Sequence, residues 1–430
     1  MANRNDYDYF DLDNFEDSFD RSSYRRRQQQ RMQGSYNRRP SYNVKSRRRR
    51  NKRRTRNRII MVSSAILFVI FFIVLLSVMF RGCSNPATDS TTTSISTETK
   101  DKQNASNPSP NSAESAVKDD LSPAYFVNPQ IKDDNTEGVA YSGIYVWNKV
   151  AYELFASNEQ KAVNYANTIN GLADSLAGMT VYDMVIPNHT EMELPQRLKD
   201  SSAPSTSQAE NIKSMYSKFS DKVTPINAYN YLAKHNNEYI YFDSDHHWTG
   251  LGAYYAYSAF AESIKQPVLS LSDCTEQIIE GFTGSFAGTI DGLNTDQVHY
   301  WQFPYDVQMD ITGEDGTVST YESPYYEYAT GGSLTYCVFL VGDNPLTVLK
   351  SSSEKGTGKK IAVVKESYGN AFVPYLTYNY EEVHVIDFRH FGQNLKSYCE
   401  SNEIDEILFI NGVMSASTQI QLDSMSSLLN

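Results

Sequence analysis

Two carboxylic acids and two imidazoles fall side by side at Asp243-Ser244-Asp245-His246-His247, and Trp248 and Thr249 follow directly. Packing alone does not ask for such density. A histidine that takes a proton from a serine near neutral pH needs a carboxylate to fix its tautomer and stabilise the imidazolium. Asp245, two residues before His247, can supply it. The candidate nucleophile is Ser367, because a strand-like run over residues 360–365 leads straight into Glu366-Ser367-Tyr368-Gly369-Asn370. Ligand sites of open α/β sheets form past the carboxyl ends of parallel strands, and there the Ser367 N–H and donors at a following helix start would face a developing oxyanion. Gly369 permits close backbone approach, and Asn370 could donate from its side chain.

Other assignments compete. A serine in this place also suits a helix cap, and Asp245 with His247 could be a structural hydrogen-bonded pair. Asp243 and His246 offer an alternative acid–base pairing. All four acids and imidazoles are potential metal ligands. Neighbours in an extended segment point to opposite faces, however, which disfavours His246 and His247 sharing one ion. No metal and no cofactor is expected. His189, His235, His299, His384 and His390 stand alone and read as structural or exposed.

These groups need elements to position them. Apolar residues recur at helical spacing over 151–176, and 180–186 reads as a buried strand ended by Pro187-Asn188. Residues 211–219 and 252–264 read as helices, with 239–242 a short strand between them. Strands at 360–365, 382–386 and 406–410 are then separated by helices at 371–377, which contains Pro374, and at 395–401. Alternation of this kind predicts an α/β fold, a mainly parallel sheet with helices on both faces. Residues 289–349 break the rhythm, are rich in Tyr, Gly and Thr, and read as a β-rich insertion.

The amino-terminal third has a different character. Residues 1–58 carry 18 Lys+Arg against 7 Asp+Glu, a net of +11; the remainder carries 39 − 18 = 21 basic and 51 − 7 = 44 acidic residues, a net of −23. Residues 59–80 form an uncharged run that as a helix spans roughly 33 Å, the thickness of a bilayer core. Its amino-terminal flank is densely basic and its other flank is not, so the expected topology has the tail 1–58 in the cytoplasm and the C-terminal part outside. The tail cannot bury enough apolar surface to fold, and its basic stretch would attract anionic lipid headgroups. It shows no nucleic-acid-binding fold. Residues 81–137, dominated at first by Ser, Thr, Asn and Pro, read as a flexible extracellular stalk with an end-to-end distance of about 40 Å. The four cysteines, Cys83, Cys274, Cys337 and Cys399, are too widely spaced for a disulfide framework or a cysteine metal site.

Asp-His-His-Trp at 245–248, with Ile186-Pro187-Asn188 before it, Phe282-Thr283-Gly284-Ser285 after it, and then Lys365-Glu366-Ser367-Tyr368 and Val385-Ile386-Asp387-Phe388-Arg389, resembles the DHHW protein family. That family is similar in turn to the SGNH-hydrolase-like proteins of alginate O-acetylation. The resemblance implies an SGNH-like domain over 138–430 in which Ser367 is the nucleophile, His247 the base and Asp245 its orienting acid. Asn188, Asn370, Gly369, Arg389 and Trp248 are then candidates for substrate or oxyanion contacts. The order of acid, histidine and serine is permuted relative to the usual SGNH arrangement. The implied activity is O-acyl transfer to, or acyl-ester hydrolysis on, a cell-surface polysaccharide, and a membrane-bound O-acyltransferase is the implied partner. A catalytically silent protein that binds the polysaccharide or cell wall would keep the same fold.

Overall fold

The computed structural model describes residues 120–430. The expected tail (1–58), membrane helix (59–80) and first part of the stalk lie outside the described residues. Among those described, no helix is long and apolar enough to cross a membrane.

The chain opens with a small antiparallel sheet, β1 (Val139–Ala140), β2 (Ile144–Trp147) and β3 (Val150–Glu153), followed by helix α1 (Glu159–Ser175) and β4 (Thr180–Ile186). Three short helices, α2 (His189–Glu193), α3 (Gln196–Lys199) and α4 (Gln208–Tyr216), lead to β5 (Val223–Pro225) and α5 (Ala228–Lys234). Helix α6 (Gly250–Ser263) precedes the hairpin of β6 (Thr275–Phe282) and β7 (Asp296–Gln302), and β8 (Val307–Thr312), β9 (Val318–Tyr321) and β10 (Leu346–Ser351) follow. The closing run is β11 (Lys360–Lys365), α7 (Gly369–Leu376), β12 (Glu382–Asp387), α8 (Leu395–Ser401), β13 (Glu406–Gly412), α9 (Val413–Ala416) and α10 (Gln419–Ser427).

Eight strands form the main sheet in the order β5-β4-β13-β11-β12-β10-β8-β9. The first five run parallel, and β10, β8 and β9 extend the sheet antiparallel. Every residue from 361 to 365, 383 to 387 and 407 to 412 is buried, which requires cover on both faces and explains why these strands read as continuous apolar runs. From β11 the chain passes through α7 to β12 on one side. After β13, α9 and α10 close the chain and pack on β13, β4 and α1. The connection from β4 to β5 runs toward one edge of the sheet and that from β11 to β12 toward the other, and a crevice opens at such a switch point.

The structure corrects several expectations. The helix expected over 151–176 begins only at Glu159, where Asn158 accepts a hydrogen bond from the Lys161 N–H as a cap. Residues 150–153 instead form β3, because Asn148 and Lys149 both adopt positive φ (53° and 64°) and turn β2 back on itself as a hairpin. Residues 239–242 form no strand and make only an isolated bridge between Tyr241 and Trp248. The β-rich segment is not a separate insertion, since β8, β9 and β10 join the main sheet. Residues before 138 also contact the domain. Residues of the expected stalk are tied down by Asn227 Nδ2, which donates to the Ser122 and Tyr125 carbonyls (2.7 and 2.9 Å), and by Arg197, paired with Asp133 at 3.0 Å.

Candidate active site

Residues 243–247 form a loop that folds back on itself, with the Phe242 N–H reaching the His247 carbonyl (3.3 Å) and the Thr249 N–H the Ile240 carbonyl (2.9 Å). Its shape is set by the buried Asp296 at the start of β7, whose carboxylate accepts the N–H groups of Asp243 (2.8 Å) and Ser244 (2.9 Å) and the Tyr239 hydroxyl. Gly284 packs onto the other side so tightly that a Cβ there would lie 2.3 Å from Asp245 Cβ. Without a side chain at 284, the Ser285 N–H reaches Asp245 Oδ2 at 2.7 Å.

Asp245 Oδ1 accepts both the His247 N–H (2.9 Å) and the His247 Nδ1–H (2.6 Å). That bond places the proton on Nδ1 and leaves Nε2 as an acceptor. The Ser367 hydroxyl donates to it at 2.7 Å. Asp245, His247 and Ser367 thus form one continuous hydrogen-bonded chain, all nearly buried. Burial works against the Asp245 carboxylate. The charges of His246 and His247 and the bonds from His247 and Ser285 outweigh it and hold this acid below the usual carboxylate range.

The imidazole is clamped between rings. Tyr336 stacks on His247 with centroids 4.0 Å apart and planes 10° from parallel, and its hydroxyl donates to the Ser367 carbonyl at 3.2 Å. His246 lies against the other face at 3.8 Å. The alternative pairing of Asp243 with His246 does not form: Asp243 Oδ2 accepts from Asn294 Nδ2 at 2.8 Å, and His246 Nδ1 meets Ser285 Oγ at 2.9 Å. Burial pushes the Asp243 carboxyl up. One donor atom from each of Asp245, His246 and His247 lies within 4.8 Å of the others, close enough to suggest a metal site. Both His247 nitrogens, however, are already engaged, one with Asp245 and one with Ser367.

Of the five expected substrate or oxyanion contacts, four are spent structurally. Trp248 is fully buried and donates from Nε1 to the Tyr368 carbonyl at 3.0 Å, supporting the nucleophile turn from beneath. Asn188 caps α2, donating to the Glu153 carbonyl (3.0 Å) and accepting from Gln208 Nε2 (2.6 Å). Arg389 pairs with Asp387 (2.7 Å) and Asp343 (2.9 Å), and Lys365 bridges the same two acids. Burial disfavours both carboxylates, yet Lys365 and Arg389 hold them below their ordinary range. Asn370 donates from Nδ2 to Asp343 at 2.9 Å, toward that ion cluster. Gly369 keeps its close approach in another sense: a Cβ there would lie 2.6 Å from Lys365 Cβ.

The helix-start donors are spent as well. The N–H groups of Tyr368, Gly369 and Asn370 go to Glu366 Oε2 (3.1 Å), the Glu366 carbonyl (3.0 Å) and the Ser367 carbonyl (3.1 Å). The Ser367 N–H makes no hydrogen bond among the described residues. Sequence reasoning gave no role to Glu366, Tyr336, Gly284, Ser285 or Asp296. Gly284 and Ser285 stood inside a motif, and Glu366 is next to the nucleophile. Tyr336 and Asp296 lie in a stretch without a regular apolar period.

The DHHW protein profile matches residues 93–386, a span that holds both the Asp-His-His-Trp segment and Ser367. A crystal structure of a DHHW family protein from Eubacterium siraeum superposes with a TM-score of 0.62 at 27% identity, covering 68% of this chain and 98% of that one. PatB1 of Bacillus cereus shares the fold at a TM-score of 0.56 and 21% identity, over 65% of this chain and 98% of its own, and it has also been solved with a sulfonyl adduct. No curated protein matches the chain. With two thirds of its length inside the profile, including the acids, imidazoles and tryptophan at 243–248, the chain belongs to the DHHW protein family.

Proposed function

We propose that this protein is a serine-dependent O-acyltransferase or acyl esterase acting on a cell-surface polysaccharide. The observation that carries the reading is the unbroken chain from Asp245 through His247 to Ser367 Oγ, with bonds of 2.6 and 2.7 Å. Ser367 Oγ attacks the acyl carbonyl carbon while its proton passes to His247 Nε2, and the imidazolium is held by Asp245. The oxyanion forms within reach of the Ser367 N–H. Collapse of the intermediate returns the proton to the departing oxygen and leaves an ester on Ser367. A sugar hydroxyl or water then attacks that ester, with His247 as base, and Ser367 regains its proton. The site geometry favours neither acceptor.

The uncharged run at 59–80 would anchor the protein in the membrane with this domain outside and the basic tail against anionic headgroups. Outside the cell there is no acyl-CoA, so transfer needs a donor route across the membrane, for which a membrane-bound O-acyltransferase is the natural partner. Capture of a sulfonyl adduct on PatB1 suggests the probe. An aryl sulfonyl fluoride should modify Ser367 of the full chain in detergent, Asp245→Ala and His247→Ala should slow the reaction, and a chelator should leave it unchanged. Mass spectrometry that finds no adduct on Ser367 in folded protein would favour a silent binding protein. Loss of activity on chelation would favour a metal site.

A further inference from the structure

Glu366 directly precedes the nucleophile, is almost fully buried, and has three donors converging on its carboxylate. The Gly412 N–H reaches Oε1 at 2.8 Å, the Tyr368 N–H reaches Oε2 at 3.1 Å, and the Ser367 hydroxyl lies 3.2 Å from the same Oε2. Gly412 is the last residue of β13 and Lys365 the last of β11, so the carboxylate ties together the carboxyl ends of two parallel strands at the crevice. A Cβ at Gly412 would touch Oε1 at an ordinary 3.5 Å and would crowd only the Tyr368 ring, at 3.1 Å. An acid anchored by two backbone N–H groups does not swing aside as a gate. It is a fixed charge.

We propose that Glu366 is a positioning residue for Ser367, locking the turn that aims Oγ at His247 Nε2 and offering the hydroxyl proton a second acceptor whenever the imidazole is charged. The inference rests on the serine-nucleophile reading. The Ser367 proton has two acceptors, His247 Nε2 at 2.7 Å and Glu366 Oε2 at 3.2 Å. When His247 is neutral it takes the shorter bond. When His247 is protonated it becomes the donor, and the hydroxyl turns to Glu366. The imidazolium is then flanked by Asp245 on one side and, through Ser367, by Glu366 on the other. Among the described residues, other polar groups near this array include His246 on the same loop, Ser285 after β6, Tyr336, Tyr368, the Glu153 carboxylate, whose charge is felt at Tyr368, and the Asp343 carboxylate, whose charge together with those of Glu366 and Asp245 is felt at the Tyr336 hydroxyl. Removing one negative charge from this set disfavours the imidazolium, so the base becomes available at lower pH.

The test is the rate at which an aryl sulfonyl fluoride modifies Ser367 in the full chain, measured against pH for the wild type, Glu366→Gln and Glu366→Asp. Glu366→Gln should react at least about tenfold more slowly, with the midpoint of its pH profile moved down by roughly half a unit to one unit. Glu366→Asp keeps the charge but falls short of both strand ends. It should slow the reaction about tenfold with the midpoint retained, and it carries the test if the glutamine variant does not fold. An unmoved midpoint in Glu366→Gln, whatever its rate, overturns the proposal, because a broken structural tie slows the reaction without changing a proton equilibrium. A wild-type rate in Glu366→Asp overturns it too. In both cases a reactive Ser367 in the wild type leaves the functional reading standing, whereas an unreactive wild-type Ser367 refutes that reading first.

Discussion

Ser367 Oγ lies 2.7 Å from His247 Nε2, although 120 residues separate them in the chain. Two unrelated segments meet there: the loop before α6, shaped by Asp296 and Gly284, and the turn after β11, held by Glu366. A second tie, from Trp248 Nε1 to the Tyr368 carbonyl at 3.0 Å, joins the same segments one residue further along each. The pair is therefore held in register by the buried tryptophan as well as by its own hydrogen bond.

His247→Ala removes the base and should lower the Ser367 reaction by about 10⁴-fold or more, as loss of a triad member does. His246→Ala removes only a ring contact and the bond to Ser285 Oγ, and its effect should be far smaller. Rates of sulfonylation in purified, folded variants decide between them. The opposite ranking would make His246 the base.

Gly284→Ala should damage the site without touching a reacting group. Its Cβ would sit 2.3 Å from Asp245 Cβ and 2.4 Å from the Ser244 carbonyl oxygen, and neither is the free end of a flexible chain. The loop must move, at a cost of roughly 1–3 kcal/mol. Thermal unfolding should show the loss, and Ser367 modification should slow along with it. A variant as stable and as reactive as the wild type would mean that the loop does not need this contact.

Asp183, in the middle of β4, is fully buried, and burial pushes its carboxyl up to about 8, the hydroxyl of Tyr165 at 2.6 Å offsetting only part of that. A carboxyl whose folded pKa exceeds its unfolded value of about 4 binds its proton more tightly in the folded state. Stability should therefore fall as pH rises from about 4 toward 8 and level off above. Among the described residues, Asp183 Oδ1 and Asn411 Oδ1 both lack a partner. Asp183→Asn keeps an acceptor for Tyr165 and removes the titration, so it should flatten this slope and stabilise the protein at pH 8 by roughly 2–5 kcal/mol. Denaturant midpoints at pH 5 and pH 8 measure both effects, and an unchanged slope in the variant would exclude Asp183 as its source.

The charge step across residues 59–80 predicts which side of the membrane this domain occupies. Protease added to intact cells or protoplasts should degrade residues 120–430 and spare the basic tail. A protected domain would reverse the orientation and remove the surface-polymer reading with it.

The α/β class and the core strands were legible because residues buried on both faces leave continuous apolar runs: 180–186 and 360–365 coincide with β4 and β11, and 395–401 with α8. Legible too were Asp245 and His247, since an acid and a base two residues apart meet through local geometry, as does a serine at the end of a buried strand. Family membership could be read from the same short motifs. Short elements were harder. The helical pattern of α1 absorbs β3, because four residues cannot establish a period against it, and only the Asn148-Lys149 turn, which pairs β3 with β2 as a hairpin, sets the strand apart. What the tertiary structure alone decided is which polar groups are free. Asn188, Arg389 and Trp248 are types that can contact a ligand, but each is claimed by a partner far away in the chain, Gln208, Asp343 and Tyr368 respectively. A buried hydrogen-bonding group must be satisfied somewhere. That partner comes from packing, and no local pattern names it. Glu366 and Tyr336 acquire their places beside Ser367 and His247 in the same way, only once β13 and the 3-10 turn Gly332–Val338 have folded against the end of β11.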